Sequence, residues 1–151
     1  MFRGVNIINL DAKGRFAMPT RYRSALQEQA ESKLVLTVDR DHCLMIYPFP
    51  DWQELERKIM RLPSYNKQAR SLQRLLVGYA TEVDMDGQGR LLVAPPLRSF
   101  ATLDKRAVLI GQGNRFELWD EQRWNNNCED WFAEGDLEQG DMPPELESLS
   151  L

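Results

Sequence analysis

Apolar and polar residues alternate in short runs along most of the chain, and the period changes from two to between three and four at a few places. Phe2 to Leu10, with Val5, Ile7, Ile8 and Leu10 as its apolar members, predicts a strand. Asp11 to Gly14 predicts a turn, because an aspartate accepts from backbone amides just ahead of it and glycine tolerates positive φ. Phe16 to Met18 reads as the return strand, and Pro19 or Thr20 opens a helix through about Gln29. Leu34–Val38 and Leu44–Pro48 read as a hairpin about the polar turn Asp39–His42. Asp51 is expected to cap a helix over Trp52–Met60, Pro63-Ser64 to interrupt it, and Asn66–Val77 to form a second, with Ala69, Leu72, Leu75 and Leu76 on one face. Tyr79–Met85 and Leu91–Ala94 are further strands, and Pro95-Pro96 opens a helix. Ala107–Ile110 and Phe116–Asp120 are joined by the expected turn Gly111–Asn114. A last helix starts near Asp120, contains Trp124, and is expected to end its packed face at Trp131 and Phe132.

This order of elements occurs twice. Asp11-Ala12-Lys13-Gly14-Arg15 with Pro19 returns as Asp86-Gly87-Gln88-Gly89-Arg90 with Pro95, one extra residue preceding the second proline. Arg23 returns as Arg98, Tyr47 as Trp119 and Trp52 as Trp124. Each half has about four short strands, too few for a separate large core. The halves are therefore expected to form one unit over residues 1–124, mainly β with short helices (α+β). The chain as a whole is expected to divide into a first repeat with its following helix at 1–62, a connecting helix at 63–78, a second repeat at 79–128, and an acidic, partly flexible segment at 129–151.

Charge separates the ends of the chain. The 19 basic and 23 acidic residues give a net charge of −4. Residues 1–116 nevertheless hold 18 basic against 12 acidic side chains, and residues 117–151 hold one against 11. Arg3, Lys13, Arg15, Arg21 and Arg23 crowd the first 25 residues, where Asp11 is the only acid. A local basic field of this kind suits a phosphate backbone even in an acidic chain. The densest apolar run, Leu91 to Leu97, holds two prolines and cannot span a bilayer. No signal-peptide pattern is read at the start, so the expected compartment is reducing cytoplasm.

Catalytic constellations are missing. His42 is the only histidine, and Cys43 and Cys128 are too few for a disulfide framework or a four-ligand metal site. His42 falls in a hairpin turn, and the cysteines read as apolar fillers or incidental thiols. Asp84 and Asp86 read as structural acids at a strand end. Gly111-Gln112-Gly113 lacks the third glycine of a dinucleotide fingerprint. No enzyme activity, metal or cofactor is expected.

The duplicated basic turns remain. An arginine fork bonds guanine O6 and N7 or holds a phosphate, so Arg15 and Arg90 are candidate DNA contacts, with Lys13, Gln88 and Arg3 beside them. Each arginine can instead clamp its own turn through Asp11 or Asp86, and the two roles are compatible. Asp11, Gly14, Asp86 and Gly89 are assigned to shaping the turns. Arg70 and Arg74, four apart, read either as a phosphate-contacting face or as a solvated one.

Met1-Phe2-Arg3-Gly4, the two D-x-x-G-R turns, Pro19-Thr20-Arg21-Tyr22-Arg23, Leu72-Gln73-Arg74-Leu75-Leu76 and Phe116-Glu117-Leu118-Trp119 together resemble the MraZ family of bacterial transcriptional regulators. The resemblance runs through about Trp124. It implies a fold of two AbrB-like swapped-hairpin half-barrels forming one pseudo-twofold unit. It also implies a cytoplasmic, nucleoid-associated repressor of the division and cell wall gene cluster, its own gene included. Such a protein binds double-stranded DNA at short repeated promoter sites as a homo-oligomer, commonly a ring. Trp52, Tyr65, Trp124 and Trp131 are candidates for subunit faces, with core packing the plainer role. A structural or protein-interaction oligomer without specific DNA binding is the alternative.

Overall fold

Among the described residues, alternation of apolar side chains sets up eight strands, which assemble into one six-stranded antiparallel sheet of order β1-β7-β8-β4-β3-β5 and one two-stranded ladder, β2–β6. The strands are β1 (Phe2–Asn9), β2 (Arg15–Ala17), β3 (Lys33–Val38), β4 (Leu44–Pro48), β5 (Thr81–Asp84), β6 (Arg90–Leu92), β7 (Arg106–Gly113) and β8 (Arg115–Asp120). The helices are α1 (Thr20–Ala30), α2 (Phe49–Met60), α3 (Lys67–Leu72), α4 (Pro95–Phe100), α5 (Glu121–Glu134) and α6 (Pro144–Glu147). The computed structural model describes residues 1–134 and 143–149. It divides into two compact units, Met1–Glu121 and Gln122–Leu151.

In the first unit the two halves exchange strands. β1 pairs with β7 along its whole length, Phe2 facing Gly113 and Ile8 facing Ala107. β5 pairs with β3, Val83 facing Leu34. These ladders are equivalent under the repeat, Ile8 corresponding to Val83 and Ala107 to Leu34. β4 and β8 meet at Met45–Glu117, and β2 and β6 meet at Phe16–Leu91, each pair being a residue and its own repeat equivalent. The duplication is thus a symmetry of pairing. Neither half could complete its sheet or its short ladder alone.

The core follows from this exchange. Phe2, Phe16, Tyr22, Leu34, Leu91, Phe116 and Leu118, drawn from both halves, are buried in one cluster. Phe116 anchors it, with its ring centroid 4.4 Å from Phe2 and 4.9 Å from Tyr22. A smaller cluster joins Val35, Met45 and Tyr47 of the sheet to Trp52 of α2. Val5 and Ile7 point out of β1 and remain 60% and 54% exposed.

Several boundaries differ from the sequence expectation. α2 begins at Phe49 with Pro48 as its N-cap, and Asp51 lies in its first turn rather than capping it. Proline suits this position, because the first amides of a helix have no internal partner and Pro50 has none to leave unpaired. The expected single helix over 66–77 is capped by Asn66, whose side chain accepts from the Ala69 amide at 3.0 Å, but it widens into a π-helical turn at Gln73–Val77. Thr37, buried on β3, donates to the Leu76 carbonyl at 2.6 Å and ties that turn to the sheet. β7 continues through Gly113, where a turn is expected from Gly111, because β1 lies alongside its full length. Tyr65 is 87% exposed, whereas Trp52 is buried.

In the second unit, Trp124 and Trp131 stack edge to face two turns apart on α5, with centroids 5.5 Å apart. Phe132 is 83% exposed and does not close a packed face as the sequence suggests. Of the segment 129–151 expected to be partly flexible, residues 135–142 and 150–151 lie outside the described residues. Among the described residues no helix is long and apolar enough to cross a membrane.

Candidate nucleic-acid interface

The two D-x-x-G-R segments fold into the same turn atom for atom. In each, the aspartate carbonyl accepts from the glycine amide, Asp11 from Gly14 at 3.0 Å and Asp86 from Gly89 at 2.9 Å. The carboxylate then organises the loop. Asp11 Oδ1 accepts from the amides of Lys13 and Arg15, both at 2.9 Å, and Asp86 Oδ1 accepts from those of Gln88 and Arg90 at 2.9 and 2.8 Å. The remaining oxygen, Oδ2, receives the arginine Nε at 2.9 Å in the first turn and 2.8 Å in the second. Both carboxyls are held below the usual aspartate range, first by the arginine backbone amide and then by its side chain. Gly14 and Gly89 sit at φ +85° and +76°, where a side chain is strained.

The turns are joined across the halves. The Met18 amide donates to the Gly89 carbonyl at 2.8 Å, and the Val93 amide donates to the Gly14 carbonyl at 2.9 Å. Arg23 of α1 donates from Nε to the Met18 carbonyl at 2.7 Å, and Arg98 of α4 donates to the Val93 carbonyl at 3.0 Å. Each of these side chains lies against the other half's turn, Arg23 over Gly89 and Arg98 over Gly14, in the space a Cβ would occupy. No local motif marks Arg23 or Arg98 for this bracing contact. Their recurrence at the same offset as the turns was the available signal.

The ladder between the turns fixes the directions of the candidate side chains. Register pairs Arg15 with Leu92 and Ala17 with Arg90 about the central pair Phe16–Leu91. Strand alternation puts Phe16 and Leu91 on one face, where both are buried, and Arg15, Ala17, Arg90 and Leu92 on the other. Leu92 is 48% exposed there. Arg15 and Arg90 are diagonal neighbours, roughly 7–8 Å apart, with their Cβ atoms somewhat closer. Each guanidinium commits Nε to its aspartate. Among the described residues its Nη groups make no hydrogen bond. Lys13 and Gln88 occupy equivalent exposed positions on the two turns.

Arg3 stands apart from this group. It lies near the start of β1, eight residues before Asp11, roughly 25 Å away along an extended strand. Arg21 is engaged locally, donating from Nη2 to Asn6 Oδ1 at 2.6 Å and to the Tyr22 hydroxyl at 2.8 Å. Arg70 and Arg74 are exposed, and the π-helical turn beginning at Gln73 breaks their regular four-residue spacing.

A second cluster of chemical groups lies where the β3–β4 turn meets β8. Asp39, Cys43 and Glu117 bring potential ligand atoms within 4.8 Å of one another. Burial, followed by the negative charges of Glu117 and Asp39, pushes the Cys43 thiol far above its usual range, so it is protonated and a poor nucleophile at neutral pH. Burial also raises Glu117, against the Trp119 indole N–H that donates to it at 3.1 Å. The cluster lies outside the arginine turns.

The family model described as "MraZ protein, putative antitoxin-like" matches the chain twice, at residues 1–75 and 76–141. The transcriptional regulator MraZ of Thioalkalivibrio sulfidiphilus is 58% identical over 151 residues, covering all of both chains. That of Methylococcus capsulatus is 57% identical over 99% of each, and that of Pseudomonas aeruginosa is 49% identical over the whole of both. With two copies of the family's unit, each carrying the same aspartate–arginine turn, the chain belongs to the MraZ family.

Proposed function

We propose that this protein is a sequence-specific DNA-binding transcriptional regulator that reads duplex DNA with the exposed face of the β2–β6 ladder. The observation that carries this reading is the diagonal pair Arg15 and Arg90, aimed outward by buried Phe16 and Leu91 and oriented by Asp11 and Asp86. A two-stranded ribbon fits the major groove, which is about 12 Å wide. An arginine with a pinned Nε presents its Nη donors in one direction, which suits either a guanine edge or a phosphate. Lys13 and Gln88 flank the ribbon as an added charge and an amide donor–acceptor. Arg3 lies too far along β1 to join the same contact.

The exchanged pairing of β1 with β7 and β5 with β3 supports the reading of the fold as two AbrB-like swapped-hairpin half-barrels in one chain. The parts assigned to residues 1–62, 63–78, 79–128 and 129–151 follow from the same reading. One chain offers few phosphate contacts, and exposed ion pairs are individually weak. Repeated sites met by several chains of a homo-oligomeric ring raise the effective concentration of each later contact. The regulator is taken to act in the cytoplasm at the nucleoid, repressing the division and cell wall gene cluster that includes its own gene. The relatives' shared name, transcriptional regulator, supports this reading.

The test is selection of duplexes from a random pool, followed by salt titration of Arg15→Ala and Arg90→Ala at matched oligomeric state. Loss of a guanine contact costs about 1–3 kcal/mol of discrimination. Loss of a phosphate contact weakens all duplexes alike and lowers the salt slope by about one. Lys13→Gln should lower the slope without changing the preferred sequence, and Gln88→Lys should tighten binding while reducing discrimination. A folded double arginine variant that protects the same site at the same concentration refutes the assignment. An assembly that selects no sequence and shows no salt-sensitive retention favours a structural role instead.

A further inference from the structure

A cleft of about 720 Å³ opens in the first unit, away from the arginine turns. Its size falls within the roughly 300–1,000 Å³ of small-molecule sites. Its lining includes Leu72, Leu75 and Leu76, carried by α3 and the π-helical turn. The lining also includes an aromatic pair: Phe100, at the end of α4, stacks on His42 with centroids 5.1 Å apart and planes at 22°.

Three features set this place apart from ordinary packing. His42 holds a left-handed backbone, φ +63°, an uncommon conformation for a residue with a side chain. The lining also takes in the π-helical turn, a backbone irregularity often found at functional sites. The repeat does not reproduce the aromatic pair, because the equivalents of His42 and Phe100 are Asn114 and Ala25.

Two cationic side chains, Arg40 and Lys67, are among the lining residues. Both are exposed, and among the described residues neither makes an ion pair. Asp39 also borders the cleft, but its Oδ2 accepts from the Asp41 amide at 3.1 Å and lies 3.7 Å from the Cys43 sulfur, which turns the carboxylate into the hairpin.

We propose that this cleft binds a small organic anion, with an apolar body between the leucines and Phe100 and an acidic group paired with Arg40 and Lys67. Charge complementarity selects this occupant over a neutral or cationic one. The site stands independently of the DNA reading. α4 carries both Phe100 and Arg98, so the cleft and the Gly14 turn share one short helix.

The full chain is titrated calorimetrically with 2-naphthoate, 2-naphthylmethanol and 2-naphthylmethylamine. Methyl NMR shifts locate the bound ring, and light scattering follows the mass of the assembly. The expected result is naphthoate binding at least tenfold tighter than either analogue, with shifts confined to Leu72, Leu75, Leu76 and Val38. Arg40→Glu and Lys67→Glu should each weaken naphthoate at least tenfold without altering the fold, and Leu75→Trp should block it sterically. No naphthoate binding, equal affinity for the three probes, or affinity unchanged in the charge variants overturns the proposal. A fall in assembly mass in Lys67→Glu overturns it in favour of a second copy seated in the cleft.

Discussion

Gly89→Ala should cost far more stability than a methyl group on an exposed turn ordinarily does, and about 1 kcal/mol of that loss should disappear when Arg23 is removed. At φ +76° an alanine carries left-handed strain of about 1–2 kcal/mol. The new Cβ would also overlap Arg23 Nε and Cζ, so the guanidinium must leave. Arginine is flexible enough to move, and the cost of moving is its 2.7 Å hydrogen bond to the Met18 carbonyl, about 1 kcal/mol for a partly exposed bond. The single variant is therefore expected to lose about 2–3 kcal/mol. In an Arg23→Ala background only the strain remains, leaving a coupling of about 1 kcal/mol. Urea unfolding of the wild type, both single variants and the double variant, at equal protein concentration, measures it. The Gly14–Arg98 pair should give a similar cycle, since Arg98 lies over Gly14 in the same way. Strictly additive losses at both pairs would refute the idea that the helix arginines brace the opposite turns.

Three other outcomes follow from the same contacts. Phe16→Ala should cost about 3–5 kcal/mol, because it empties the buried centre of the ladder shared by both halves; chemical denaturation measures the loss. The depressed carboxyls of Asp11 and Asp86 give a stabilisation that is fully present above the unfolded aspartate pKa, 3.8, and is lost as pH falls through their lower folded values. Carboxyl NMR should show both turns unchanged from pH 5 to 8 and opening only in acid; opening near pH 6 contradicts it. The raised Glu117 has the opposite sign: its contribution to stability falls as pH rises from the unfolded pKa, 4.5, through its higher folded value, so ionisation is a cost at neutral pH. Glu117→Gln should therefore raise the thermal midpoint at pH 7 and flatten its dependence above pH 4.5, and a lower midpoint at pH 7 counts against this.

The sequence by itself determined the local elements and their duplication. Strand alternation, proline at helix starts and the paired D-x-x-G-R segments are short-range features, each set by a few neighbouring residues. They were enough to locate the arginine turns and to draw attention to Arg15 and Arg90. What the sequence left open depended on contacts between distant residues. The extended β7 reflects pairing with β1, about a hundred residues away. The π-helical turn is joined to Thr37 on a separate strand. Arg23 and Arg98 carry no local mark of their role, because each lies against a glycine contributed by the other half. The choice between groove contact and turn clamp was equally open in sequence. Tertiary structure established the clamp, since Nε and Oδ2 meet in both turns, and it also aimed the remaining Nη groups outward through the register of a ladder that neither half forms alone. Local spacing encodes which turn forms, while the direction a side chain faces is decided by the strand that pairs with it.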